Sequence, residues 1–240
     1  MKDGGSYSRA LVKISGGAFG REGASGFDRE QLNYVCGEIK DGLEVCPELA
    51  VVVGGGNIMR GASFQSGGPG RLRADSAGML ATIVNGLIVK DCFLQQGVEV
   101  ALYSALPVPE IAPGFDRDSC DTDLKGGKIV LLAGGTGNPL FTTDTAAALR
   151  AVQLEAEVVL KATRVDGVYS ADPEVDNDAT FYEHLQYDRV LADRLGVMDL
   201  CAVSLCMEHS LPVRVFNYKT PGNLRRALAG ESVGTLIGEK

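Results

Sequence analysis

Hydrophobic and polar positions along this 240-residue chain follow two alternating rhythms. Short apolar runs closed by glycine or polar residues read as buried strands. Stretches with apolar residues three and four apart read as helices packed by one face. The first kind covers Arg9 to Ile14, Leu49 to Val53, Val98 to Tyr103, Lys128 to Ala133, Glu157 to Lys161 and Val213 to Phe216, with Thr235 to Ile237 expected at a sheet edge. The second begins at Asp28, a capping residue whose helix carries the stripe Leu32, Val35, Cys36, Ile39 and Leu43. Further helices are predicted over Leu72 to Gln96, Asp144 to Leu154, Asp188 to Leu195, Asp199 to His209 and Gly222 to Leu228, the last with Pro221 in its first turn. Ser104 to Gly127, rich in proline and aspartate, reads as an irregular excursion. This alternation predicts an α/β fold: a single-domain, three-layer αβα sandwich around a mostly parallel sheet, spanning residues 1–240.

Composition narrows the functions. Hydrophobic residues make up 45% and charged residues 22%, a globular balance that argues against disorder. The net charge of −8 offers no broad positive field to a nucleic acid or an anionic membrane, so neither is expected as a partner. A few cations focused in a cleft can still hold a small phosphorylated ligand. Cys36, Cys46, Cys92, Cys120, Cys201 and Cys206 form no CxxC pair and no metal-like spacing with His184 or His209. Free thiols, mostly buried, and no protein metal site are therefore expected. No apolar run approaches the roughly 20 residues of a membrane span, which points to a soluble, cytoplasmic protein.

Three glycine-bearing loops follow apolar strands: Ser15 to Gly20, Gly54 to Gly61 and Gly134 to Asn138. One such loop means little, because glycine turns are common after strands. Three of them, with Lys13 and Arg60 beside two, suggest a polyphosphate cradle of backbone N–H groups and cations. It is not a P-loop, since Gly127-Lys128 is followed by Ile129. Nor is it a dinucleotide fingerprint. The run Gly54 to Gly61 lacks the third glycine, and Met59 stands where helix and strand would pack closely.

Five segments in order resemble the amino acid kinase superfamily and, within it, the bacterial-type UMP kinases. They are Lys13-Ile14-Ser15-Gly16, Val53 to Gly61, Gly78 to Gly86, Gly135 to Asp144 running on through Ala146 to Arg150, and Leu160 to Tyr169 with Ala171-Asp172-Pro173 behind it. Val197 to Leu200 and Val213 to Asn217 extend a resemblance that covers nearly the whole chain. Gly135 to Asp144 is its most subfamily-specific part. The resemblance implies transfer of the γ-phosphate of ATP to UMP, giving UDP and ADP in pyrimidine nucleotide biosynthesis. No general base is needed, because the accepting phosphate oxygen is already ionised; positioning and positive charge carry the step. Lys13 is expected to bridge the transferred group and Lys161 to neutralise the leaving β-phosphate, with Asp144 and Asp199 orienting the two lysines. Plainer readings stand beside these: a solvated strand-end lysine, and two helix N-caps.

For ATP, the resemblance implies Lys13, Ile14, Ser15, Gly16, Gly56 and Arg60 around the phosphates, and Thr163, Tyr169 and Asp172 on the adenine side. For UMP it implies Gly55, Arg60 on the phosphate, Asp75 on the ribose, and Thr136, Gly137, Asn138, Pro139, Leu140, Phe141, Thr142 and Thr143, with the Ser104 to Gly127 excursion on this acceptor side. Asp75 reads equally well as a helix-start charge, and Tyr169 alone as the core residue of a turn. Mg2+ is expected to arrive with ATP. UTP, which resembles the acceptor, is a candidate feedback inhibitor. A homohexamer is implied, with the helix around Met79 to Val89 either an interface or intramolecular core. There are departures: Gly17 replaces the usual acidic residue, and Lys90, Asp91, Leu94 and Ala101 do not carry the arginine and histidine pattern of GTP-activated families. Two rivals remain. One is a carboxylate or carbamate kinase of the same superfamily, which the Gly135 to Asp144 segment disfavours. The other is a binding-only relative, which Lys13 and Lys161 together disfavour.

Overall fold

The computed structural model describes residues 5–21, 23–59, 70–171, 175–176 and 178–239. Among them, β1 (Arg9–Ile14), β2 (Glu48–Val53), β3 (Val100–Ser104), β4 (Ile129–Ala133), β5 (Val159–Thr163), β8 (His184–Leu185), β9 (Val213–Asn217) and β10 (Thr235–Ile237) form one sheet. Its order is β3-β4-β2-β1-β5-β9-β10-β8, and only β10 against β9 is paired antiparallel. A separate two-stranded hairpin joins β6 (Val168–Tyr169) to β7 (Phe181–Tyr182).

Alternation along the strands builds two cores. Ala10, Val12 and Ile14 of β1 join the side covered by α1 (Arg29–Gly42), α2 (Arg71–Gln95) and α7 (Asn223–Leu228). Leu11 faces the other way, under α3 (Arg117–Lys125), α4 (Thr143–Gln153), α5 (Tyr187–Ala192) and α6 (Leu200–Glu208). A sheet buried on both faces is why the parallel strands read as unbroken apolar runs. The three-layer sandwich is as expected.

Several local readings change. The segment after Ser104 is not all excursion: Asp116 accepts from the Ser119 N–H and caps α3, which buries Cys120 and Leu124 completely. Two apolar anchors four residues apart are too few to announce a helix. Pro221 lies outside α7, whose cap is Gly222 at φ +77°. Strand β5 begins two residues later than expected, so Lys161 stands at its centre instead of its end. β6, β7 and β8 are too short for any periodicity to betray. Five of the six cysteines are buried free thiols, and Cys201 is exposed. By length and composition α2 is apolar enough to cross a membrane, contrary to the reading above. One side of it, with Ile83, Val89 and Phe93, is packed into the sheet core.

Candidate active site

Strand order reverses between β1 and β5. From β1 the chain proceeds to β2 on one side, whereas β5 is followed by β9 on the other. Such a switch point opens a crevice at the carboxyl ends of the strands, where open α/β sheets take ligands. Lys13 and Lys161 are direct register partners across this seam. Both lie on the α4 side, opposite the side chains of Ile14 and Leu160. Two ammonium groups side by side repel, and one carboxylate answers both: Asp144 Oδ1 is 2.8 Å from Lys13 Nζ and Asp144 Oδ2 is 2.7 Å from Lys161 Nζ. Lys161 also donates to the Val197 carbonyl.

Burial alone would raise the Asp144 carboxyl. The charges of Lys13 and Lys161, with their hydrogen bonds, outweigh it and hold the group below the ordinary carboxylate value. Burial pushes the Lys161 ammonium down, and net of the pull of Asp144 and the push of Lys13 it stays below an ordinary lysine.

Asp144 is not the cap of its helix. Thr142 is, accepting from the Asp144 N–H through its Oγ1, which frees the carboxylate to face the lysines. Asp199 does cap α6, accepting from the Ala202 N–H, and also accepts from the hydroxyls of Thr142 and Thr145. Among the described residues no hydrogen bond or ion pair joins it to either lysine, but its charge acts on Lys161 and favours the ammonium form. Asp199 also locks the first turns of α4 and α6 together. Both helix N-termini, with their positive dipole ends, lie at this point.

Glycine brings the loops this close. A Cβ on Gly16 would sit 2.6 Å from the Gly56 nitrogen, and one on Gly55 would sit 2.8 Å from the Gly78 carbonyl in α2. Asn85 of α2 donates to the Gly54 carbonyl at 2.6 Å and exchanges side-chain amide bonds with Asn57. Thr82 Oγ1 accepts from the Gly134 N–H at 2.7 Å. The second and third glycine loops thus hang on one stretch of α2.

Two cavities open beside this centre, one reaching Thr143 next to Asp144 and the other lined by Lys161. The first, about 590 Å³, is lined by Gly55, Gly56, Asp75, Phe141, Thr142 and Thr143 of the expected residues. Gly56, expected around the ATP phosphates, lines this cavity. The second, about 550 Å³, is lined by Lys161, Thr163 and Tyr169. The Thr163 hydroxyl is spent on the Val165 and Phe216 carbonyls, and the Tyr169 ring meets Phe181 edge-on at 5.3 Å. Ile14 buries its side chain in the core and can offer only backbone. Ser15 is exposed just after β1, at the start of a 3-10 turn.

Thr136, Gly137, Asn138, Pro139 and Leu140 are not among the residues that line the first cavity. Thr136 and Asn138 bond to each other instead: the Asn138 N–H donates to Thr136 Oγ1 at 3.1 Å, and its side-chain amide to the Thr136 carbonyl at 3.3 Å. Arg60 and Asp172 lie outside the described residues. Sequence reasoning missed Arg71, Met79, Thr82 and Gly135 in the first cavity and Arg194 in the second. For Arg71 a signal existed, because it stands four residues before Asp75 on a helix, the spacing of a charge pair. Among the described residues, no group of three His, Cys, Asp or Glu side chains could hold a metal ion.

Residues 8–217 match the Amino acid kinase family, and the chain belongs to that family. It is similar to the uridylate kinase of Marinobacter nauticus, 46% identical over 231 residues that cover 96% of each chain. It is also similar to the uridylate kinase of Yersinia pestis, 47% identical over 233 residues, again 96% of each. Of solved structures, a UMP kinase from Bacillus anthracis matches with a TM-score of 0.94 at 35% identity, covering 97% of this chain and 96% of that one. A UMP kinase from Ureaplasma parvum matches at 0.90 and 30% identity, covering 97% and 99%.

Asp144 carries a pH signature. Its lowered pKa contributes stability that is present above the ordinary carboxylate value of about 4 and is lost as pH falls through the depressed one. Asp144→Asn leaves two buried ammonium groups uncompensated and should cost ~3 kcal/mol at pH 7, by urea unfolding. The gap to the unsubstituted protein should narrow steadily below about pH 4. A gap that stays constant down to pH 2 would contradict the assigned ion pairs.

Proposed function

We propose that this chain transfers the γ-phosphoryl group of ATP to UMP, giving ADP and UDP, as a step in pyrimidine nucleotide biosynthesis. The observation that carries the reading is the Lys13–Asp144–Lys161 cluster, which has a cavity on either side. The first cavity reaches Thr143, next to Asp144, and the second is lined by Lys161 itself. The relatives named above support UMP as acceptor.

The acceptor occupies the first cavity and the donor lies along the second. An oxygen of the UMP phosphate, already ionised at neutral pH, forms the new bond to the γ-phosphorus in line with the departing β–γ bridging oxygen. No proton has to move. Lys13 neutralises the transferred group and Lys161 the leaving phosphate. The N–H groups of Ser15, Gly16, Gly55 and Gly56 complete the cradle, and Asp144 keeps both lysines in place without acting as a base. Arg60 is assigned to the phosphates, Asp172 to the donor nucleoside, and Asn138 and its loop to the uracil, which requires that loop to turn towards the cavity.

Mg2+ enters as Mg-ATP. Asp144 and Asp199, the two carboxylates at the centre, are already taken up by lysines and by N–H and hydroxyl donors. The metal would then be held by phosphates and water. UTP, sharing the uridine of the acceptor, is proposed to inhibit by competing for the first cavity. The free thiols fit a reducing cytoplasm.

The chain is also proposed to assemble as a homohexamer. Leu80, Val84 and Leu87 form an exposed apolar stripe on α2, which a second copy would cover. A monomeric mass by light scattering would exclude this assembly.

The function is tested by initial rates of ADP formation from Mg-ATP with UMP, CMP, dUMP, glutamate, aspartate or carbamate offered separately. Turnover confined to UMP is the expected result. Turnover on an amino acid or carbamate would keep the donor site and overturn the acceptor assignment. Silence on all six, with ATP still bound, would favour a binding-only relative.

A further inference from the structure

Among the described residues, the first cavity is lined by a single cation and a single carboxylate, Arg71 and Asp75, and these grip each other. Arg71 Nε lies 3.1 Å from Asp75 Oδ1 and 3.0 Å from Asp75 Oδ2. As an exposed pair four residues apart on a helix, this would contribute little to stability. Its position gives it another consequence. Asp75 Oδ2 also accepts the backbone N–H of Leu140 at 2.9 Å, across 65 residues of sequence. Leu140 is a non-glycine residue at φ +74° with its side chain exposed, a conformation that a leucine rarely adopts unaided. Two residues further on stands Thr142, the cap that frees Asp144 for the lysines.

We propose that Arg71 is a positioning residue of the acceptor site. It fixes the Asp75 carboxylate in the one orientation that holds Leu140 in its strained turn, and so sets Phe141 and Thr142, the next two residues, against the cavity. A carboxylate without this clamp rotates freely about its side chain and loses either the Leu140 N–H or its aim at the ligand. Arg71 thus acts through Asp75 on a ligand hydroxyl and through Leu140 on the loop wall. The kinetic part of this inference rests on the UMP reading; the loop part does not.

Two measurements on the full chain test it. In steady-state kinetics, Arg71→Gln should raise KM for UMP roughly tenfold, the loss expected when one hydrogen bond to a charged group is removed, while KM for ATP stays unchanged. Arg71→Lys, which keeps a cation but loses the planar fork, should recover part of that loss. Adding Asp75→Asn to Arg71→Gln should cost less than the two single effects combined, because both act through one carboxylate.

Amide hydrogen exchange without any nucleotide gives the second readout. The Leu140 amide should exchange roughly tenfold faster in Arg71→Gln, with the Ala148 amide inside α4 unaffected. Equal rises in KM for ATP and UMP, or a Leu140 amide that exchanges at the same rate in both proteins, would overturn the proposal. Should the unsubstituted enzyme ignore UMP, the acceptor reading fails by itself, and the exchange experiment still decides whether Arg71 holds the loop.

Discussion

One carboxylate between two lysines is the constraint on which the site depends. Parallel pairing puts Lys13 and Lys161 side by side on the same face of the sheet, where two buried like charges could not stand alone. Asp144 reaches both from the first turn of α4. The arrangement leaves a net positive charge held rigidly beneath the crevice, which is what transfer between two polyanions requires. Everything that locates α4 therefore also locates the proposed reaction centre. The Thr142 cap and the Asp199 clamp to α6 are the most direct of these supports.

The glycines serve the same end by a different route. Loops after β1, β2 and β4 converge on the crevice, and side chains there would hold them apart: Gly16 meets Gly56, and Gly55 meets Gly78 of α2. Asn85 and Thr82 of α2 then bond to the backbones of two of those loops. The long helix acts as a shelf for the first cavity as well as a piece of the core.

The layered fold was legible because parallel strands buried on both faces leave apolar runs that glycine loops punctuate. The lysines were legible as well, each lying in a strand beside a recognisable motif. Their mutual facing was not, since it follows from the pairing of β1 with β5 and no local pattern carries it. Asp144 and Asp199 both looked like caps or orienting groups. Only the position of Thr142 decides that Asp144 is free for the lysines while Asp199 is the cap. α3 escaped because two buried anchors make too weak a stripe. Asn138 was expected in the acceptor pocket on its chemistry, but its amide is engaged by Thr136 within the loop. Arg71 was overlooked because a charge pair on a helix surface ordinarily means nothing beyond solvation.

The most direct test of the shared-carboxylate centre is the titration of the Lys161 side chain by NMR, in the intact protein and in Asp144→Asn. Burial and Lys13 lower its pKa while Asp144 raises it. The ammonium should therefore titrate below the ordinary lysine value in the intact protein and lower still in the variant. An ordinary lysine value, unmoved by the substitution, would contradict the account.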